Sequence, residues 1–394
     1  MFIVLPHSWQ AWAWASEGAV GTWGQVTSRT IAAAHRSRRP TVASLTGSIG
    51  RLPTVKIAHV REENAPAGSP WRLAAALDGA GIGTPTRWLD LEVARRRAVA
   101  IDPQLPHDSV LHRQPIATLD DHLARGMRVE ALADLVEGFV PRAEDDDAVL
   151  DASDLAFGSP ILRPPSLRDF YAFERHVRTM WERRGREVPE AWYRLPIFYF
   201  SNTSEIRGPE DPVWAPAGSA ELDYELEVCA LVDTSARDLT PDRAEEAIGG
   251  YTIMNDWSAR DLQRDETTVR LGPAKGKDFA TSIGPWLVTP DELADRRAGT
   301  GFELTMTAEV NGVETSRGSW ATIHHSFAAM LAHASADVRL RPGDLIGSGT
   351  VGGGCLLEIR DDTLGRYLEP GDEVVLGVER LGELRTPIVT RPEA

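Results

Sequence analysis

The chain has 394 residues, 42% apolar and 25% charged, ordinary values for a globular protein with one large core and a smaller domain. A formal net charge of −16 leaves no basic excess to neutralise phosphates and excludes a nucleic-acid partner, although local arginines and a metal can still receive an anionic substrate. Two cysteines, Cys229 and Cys355, provide neither a disulfide framework nor a Cys-rich zinc site. No run approaches the ~18 apolar residues of a membrane span, so no membrane partner is expected. A reducing cytoplasm is the expected setting.

Residues 1–51 differ in composition from the rest of the chain. Up to Arg61 the only acid is Glu17, although the chain carries 58 acids, and Trp9, Trp12, Trp14 and Trp23 crowd the start. The stretch HRSRRP adds to an acid-poor, Arg/Ser-rich composition that resembles a transit peptide. A disordered extension, or a start codon placed too far upstream, accounts for the same composition. We take 1–51 as such a disordered or non-native extension, on which no function rests. From 52 to 150, runs such as LPTVKIAHV and RWLDLEVARRRAVAID predict a small N-terminal domain of strands with one or two helices. The acidic stretch AEDDDAVLDASD reads as a solvated linker.

Signals are denser from 157 to 394. Ser166, after two prolines and with Asp169 three residues on, predicts a helix through DFYAFERHVRTMWERR that stops at Gly185. Beyond it stand apolar runs separated by Gly and Pro: LDYELEVCALVD, GPWLVT, FELTMTAEV, DLIGSGT, CLLEIR and DEVVLGVERL. They predict a β-rich core, with further helices after Asn255 and over SFAAMLAHASA. The fold class is α+β, rich in strand.

Three segments could carry chemistry. Alternation in Leu222–Val228 predicts a strand with Leu222, Tyr224, Leu226 and Val228 facing the core and Asp223, Glu225 and Glu227 opposite. Acids about 7 Å apart on one face either stand in solvent or repel each other until a cation is held between them. Hard oxygen donors would select Mg²⁺, Ca²⁺ or Mn²⁺ over zinc. In the second segment, a helix starting near Asp256 would align Asp256, Arg260 and Gln263 on one face. Asp256 there is either an N-cap or a metal ligand. In the third, Asp169 and His176 would share a helical face, where the histidine is either structural or a general base beside a metal. Gly347 to Gly352 fits GxGxxG, but CLLEIR after it reads as a strand where a dinucleotide site needs a helix. Residues 272–277 resemble a P-loop with one spacer too few and Asp278 in place of Ser or Thr.

Taken in order, DYELE, NDWSARDLQ, GKDFATSIGPW, RPGDLIGSGT and the late LLE resemble the fumarylacetoacetate hydrolase family from about Pro160 to Thr386. The resemblance implies a mixed β-roll, a homodimer and a Mg²⁺ or Ca²⁺ site. It implies Asp169, Glu225, Glu227 and Asp256 as metal ligands, and His176 paired with Glu358 to activate water. It further implies that Arg260, Gln263 and Lys277 polarise substrate oxygens and stabilise negative charge. Tyr171, Thr281 and Thr350 match positions lining the site, and Tyr199 stands where the family has a tyrosine. The family's Gly-Tyr-His-Gly-Arg stretch is replaced by Ile197-Phe198-Tyr199-Phe200-Ser201-Asn202, which leaves the distal substrate group undefined. The implied activity is hydrolysis of a carbon–carbon bond in a small, anionic diketo acid. The alternatives are a 2-oxo acid lyase, decarboxylase, hydratase or isomerase on the same metal, and a non-catalytic metal-binding module.

Overall fold

The structure, a computed structural model, describes residues 55–78, 83–101, 115–137 and 147–393. The extension expected at 1–51 lies outside them, as does the start of the acidic stretch. The first strands are β1 (Lys56–Glu62), β2 (Arg72–Ala76), β3 (Arg87–Asp90) and β4 (Val149–Asp151). Between β3 and β4 run α1 (Leu91–Ile101), α2 (Leu119–Ala124) and α3 (Glu130–Glu137). Next come β5 (Leu155–Gly158), β6 (Leu167–Phe170), α4 (Glu174–Glu182), β7 (Phe198–Ser201) and β8 (Ile206–Arg207). The middle of the chain forms β9 (Leu222–Asp223), β10 (Leu226–Val232), α5 (Pro241–Ala244), β11 (Ile248–Asp256), β12 (Ser258–Ala259), α6 (Arg260–Thr268) and β13 (Thr281–Val288). After β14 (Arg297–Ala298), β15 (Gly301–Phe302), β16 (Thr305–Val310) and β17 (Val313–Ser319) come α7 (Phe327–Ser335), β18 (Leu345–Gly347) and α8 (Leu356–Ile359). The last two strands are β19 (Glu373–Val378) and β20 (Gly382–Pro387).

Twelve of these strands form one mixed sheet in the order β4-β3-β2-β1-β13-β11-β10-β18-β6-β7, with β5 on β1 and β8 on β13. The β18–β6 and β13–β8 pairs run parallel. The 52–150 segment therefore contributes strands to the same sheet as the 157–394 segment, through β1 on β13. A second sheet, β17-β16-β19-β20, lies against β11 and β13. Both faces of the central strands are covered: Val228 and Ala230 of β10 enter one apolar core, and Cys229 and Leu231 enter the other. That is why β10 reads as an almost unbroken apolar run, and why the one acid within it, Glu227, is conspicuous.

Several local expectations give way to tertiary structure. The helix expected from Ser166 begins only at Glu174, because Leu167–Phe170 are all buried and pair with β18 and β7. Ser166 donates its hydroxyl to Asp344 instead of capping a helix. Asp169 and His176 thus lie on a strand and a helix, not on one helical face. Likewise Asp256 ends β11 and α6 starts at Arg260, so no single helix aligns Asp256, Arg260 and Gln263. CLLEIR contains the short helix α8 and not a strand. The run from Leu222 is two strands, interrupted at Tyr224 and Glu225. Within the described part of the acidic stretch, Val149–Asp151 form β4 and pair with β3, where a solvated linker is expected, while Asp151 and Asp154 are exposed.

Candidate active site

Strand register brings the acids together. Glu227 on β10 faces Met254, two residues before Asp256 on β11. On the other side of β10, Cys229 pairs with Gly347 of β18, which pairs with Asp169 of β6. Asp169 can reach across because Gly347 has no side chain: a Cβ there would stand 2.5 Å from Asp169 Oδ1. Gly349 holds both acids, its N–H donating to Asp169 Oδ1 at 3.2 Å and to Glu227 Oε2 at 2.9 Å. Glu225 sits at the strand interruption, where its own N–H donates to Asn255 Oδ1 at 2.9 Å. One oxygen from each of Asp169, Glu225, Glu227 and Asp256 lies within 4.8 Å of the others, and all four residues are buried. Of the GxGxxG glycines, Gly347 therefore makes room for a carboxylate and Gly349 donates its N–H to two.

This much buried negative charge needs compensation. Burial, and then the charges of neighbouring acids, push Asp169 and Glu227 well above the usual carboxylate range. Burial also raises Asp256. It acts on Glu225 too, but Lys277 and Arg260 outweigh it and hold that carboxyl below its usual value. Lys277 Nζ donates to Glu225 Oε2 at 2.7 Å and to Asp256 Oδ2, and these partners overcome its own desolvation to keep it charged. Tyr199 spends its hydroxyl on the same Asp256 Oδ2 at 2.5 Å. Glu227 Oε1 and Asp256 Oδ1 remain buried with no hydrogen-bond partner among the described residues. Unpaired buried acceptors are costly, and two of them in a ring of hard oxygen donors suit a divalent cation. The residues present fit the metal that the sequence implies.

His176, on the buried face of α4, meets α8 beside this cluster. Its Nδ1 lies 2.9 Å from Glu358 Oε2, a charge-pair contact with the ring N–H not aimed along that line. Glu358 also accepts the Gly353 N–H at 2.9 Å. Burial pushes the Glu358 carboxyl up, but the His176 contact and the Gly353 amide prevail and hold it below its usual value. The Tyr171 ring stands edge-on to the imidazole, with centroids 5.3 Å apart. Arg260 Nη1 reaches Glu225 Oε1 at 2.8 Å and Gln263 Oε1 at 3.0 Å.

These groups open onto a cavity of about 470 Å³. Asp169, Tyr171, His176, Tyr199, Glu225, Arg260, Gln263, Lys277 and Thr350 line it. Glu227, Asp256 and Glu358 stand behind that wall. Thr281 does not reach it: it is buried opposite Asp256 on the next strand. Met180, Arg184, Ile197 and Leu357 on the outer wall are not foreseen from the sequence. No local pattern marks them, because they come from α4 and the turn after it, the approach to β7 and α8. Asp223 does not join the carboxylate ring, although alternation placed it on the same face; it pairs with Arg260 at 2.7 Å.

The fold is mixed and strand-dominated, with a buried ring of acids beside a His–Glu pair. Residues 166–389 match the model of the fumarylacetoacetate (FAA) hydrolase C-terminal domain, and the chain belongs to that family. Among curated relatives, the 2,4-didehydro-3-deoxy-L-rhamnonate hydrolase of Sphingomonas sp. (strain SKA58) is 33% identical over 196 residues, covering 49% of this chain and 65% of the relative. The fumarylacetoacetase of Arabidopsis thaliana is 29% identical over 267 residues, covering 52% of this chain and 63% of the relative. The chain thus spans just under two thirds of the length of the curated relatives it matches. The fumarylacetoacetate hydrolase structure from Exiguobacterium antarcticum shares the fold, with a TM-score of 0.60 at 23% identity, over 86% of this chain and 100% of that one.

Proposed function

We propose that this protein is a divalent-metal-dependent hydrolase that cleaves a carbon–carbon bond in a small diketo acid of the fumarylacetoacetate or acylpyruvate kind. The observation that carries the reading is the buried His176–Glu358 pair beside four convergent carboxylates. A metal site alone serves many 2-oxo acid reactions, whereas an imidazole backed by a carboxylate is what activating water requires. The names of the relatives, a rhamnonate-type hydrolase and a fumarylacetoacetase, also favour hydrolysis.

Asp169, Glu225, Glu227 and Asp256 would hold Mg²⁺, Ca²⁺ or Mn²⁺. When bound, the ion supplies Lewis-acid polarisation of substrate oxygens. The chain does the rest. Glu358 orients His176 from the Nδ1 side and leaves Nε2 to take a proton as water adds to the carbonyl carbon. Negative charge gathering on the carbonyl oxygen meets donors already in place on Arg260, Lys277 and Gln263. When the carbon–carbon bond breaks, its electron pair stays on the leaving carbon, to which the proton held by His176 can return. The reading includes a cytoplasmic homodimer acting on an anionic small molecule, with neither nucleic acid nor membrane as partner. Among the described residues no helix is long and apolar enough to cross a membrane.

The test is incubation of metal-loaded protein with acylpyruvates. Loss of enol absorbance, with two product acids by mass spectrometry, is the expected result. Decarboxylation without hydrolytic products would instead establish the lyase alternative on the same site.

A further inference from the structure

Asp223 shares the DYELE segment with two of the carboxylates in the ring but does something else. It is fully buried on β9, and three donors converge on its two oxygens. Leu356 N donates to Oδ1 at 2.7 Å, Leu357 N to Oδ2 at 2.9 Å, and Arg260 Nε to Oδ2 at 2.7 Å. The two amides open α8, whose third residue is Glu358, and Arg260 opens α6. One carboxylate therefore joins the turn that carries the partner of His176 to the helix that carries the substrate-side cation.

Each partner is constrained by this junction. A guanidinium is planar and rigid, so fixing two of its nitrogens fixes the third. With Nε on Asp223 and Nη1 on Glu225 and Gln263, Arg260 Nη2 is left buried and unpartnered among the described residues, on a residue that lines the cavity. The helix α8 has no side-chain cap from its own N-cap residue, Cys355. Its first amides would be orphans without Asp223. Buried ion pairs are poor sources of stability because desolvation offsets their attraction. Position is the better account of this one.

We propose that Asp223 is a positioning residue that sets the Glu358 turn and the free nitrogen of Arg260 relative to each other, so that water activation and substrate capture depend on one carboxylate. The proposal rests on the hydrolase reading above. Asparagine at 223 keeps the shape but presents an amide NH₂ where only donors face it.

In the full-length protein, Asp223→Asn is expected to lower kcat about a hundredfold and to raise KM, because both reacting partners lose alignment. Glu358→Gln lowers kcat with KM nearly unchanged. The double variant falls no more than about threefold below Glu358→Gln alone, since coupled residues are not additive. Mg²⁺ binding by calorimetry weakens by about tenfold at most, since all four acids remain and only Glu225 shares Arg260 with Asp223. A readout that needs no activity is alkylation of Cys355, which is buried next to Leu356. Iodoacetamide labelling of Cys355 rises about tenfold or more in Asp223→Asn as the turn opens, while Cys229 in β10 stays unreactive. In the wild type, hydrogen exchange is expected to find the Leu356 and Leu357 amides protected by their bonds to Asp223. Exchange of these amides at open-loop rates in the wild type would overturn the proposal whether or not the variant folds. So would a folded Asp223→Asn protein with wild-type kcat, KM and Cys355 reactivity. If the wild type hydrolyses no acylpyruvate, the hydrolase reading fails, and exchange and alkylation still decide whether Asp223 holds the turn.

Discussion

Glu227 Oε1 and Asp256 Oδ1 are buried acceptors with no donor among the described residues, and around them single residues have sharp effects. His176→Asn should lower turnover of an acylpyruvate by about 10²–10⁴, the usual contribution of a general base. Calorimetric Mg²⁺ affinity should barely change; a large change would place His176 among the ligands. Gly349 stands at φ +76, and a Cβ on it would run into the Phe170 carbonyl. Gly349→Ala should cost at least about 2 kcal/mol in urea denaturation, through left-handed strain and the backbone clash. It should also weaken metal binding, because its N–H holds Asp169 and Glu227. At this scale residue types were legible in the sequence: an acid inside the apolar run of β10, and a histidine seven residues after Asp169. What alternation misjudged was Asp223, because the strand is interrupted at Tyr224 and Glu225 and that carboxylate bonds to the first amides of α8.

Elements show how far local signals carry. The Ser326 cap on Ala329 N and the apolar run behind it make α7 where the sequence predicts it. The Ser166 cap signal fails because β18 and β7 offer Leu167–Phe170 a full complement of sheet partners, worth more than one side-chain cap. A different element junction carries a pH dependence. His59 of β1 is buried, with Nδ1 2.8 Å from the Ser159 carbonyl and Nε2 accepting the Leu119 N–H of α2 at 3.0 Å. That pattern requires the neutral ring. Burial lowers its pKa, against the Ser159 bond and the charges of Asp120 and Asp121, which act to raise it. An unfolded histidine binds a proton near its ordinary pKa of about 6.5, and the folded one does so only at lower pH. Stability is therefore full above that pH and falls as the solution is acidified below it. Buried His122 and His325, also lowered by burial, add to the same slope. The raised carboxyls of Asp169, Glu227 and Asp256 have the opposite slope, so the test is differential: from pH 7.5 to 5 the thermal midpoint of the wild type should fall relative to that of His59→Gln. An unchanged slope would remove His59 from this account.

For the whole molecule, the four-carboxylate ring draws on β6, β10, β11 and the segment before β10, so a cation there ties together the middle of the sheet. Chelator-treated protein should melt at a lower temperature. Adding Mg²⁺ or Ca²⁺ at about a hundred times its dissociation constant should restore about 2.7 kcal/mol by mass action. Scanning calorimetry across a cation titration measures this, and a midpoint independent of cation would argue against a resident metal. The sequence by itself determined the strand-rich class, the family and the kinds of side chain at the site, because apolar runs, glycine punctuation and misplaced acids are local facts. It could not determine how those side chains meet. Asp169 and Glu227 come from strands that are not adjacent in sequence or in the sheet, and they touch only because Gly347 stands between them without a side chain. His176 and Glu358 meet only because α4 and α8 pack together. Such contacts depend on register and packing between distant segments, which no local pattern encodes, and only the tertiary structure decided them.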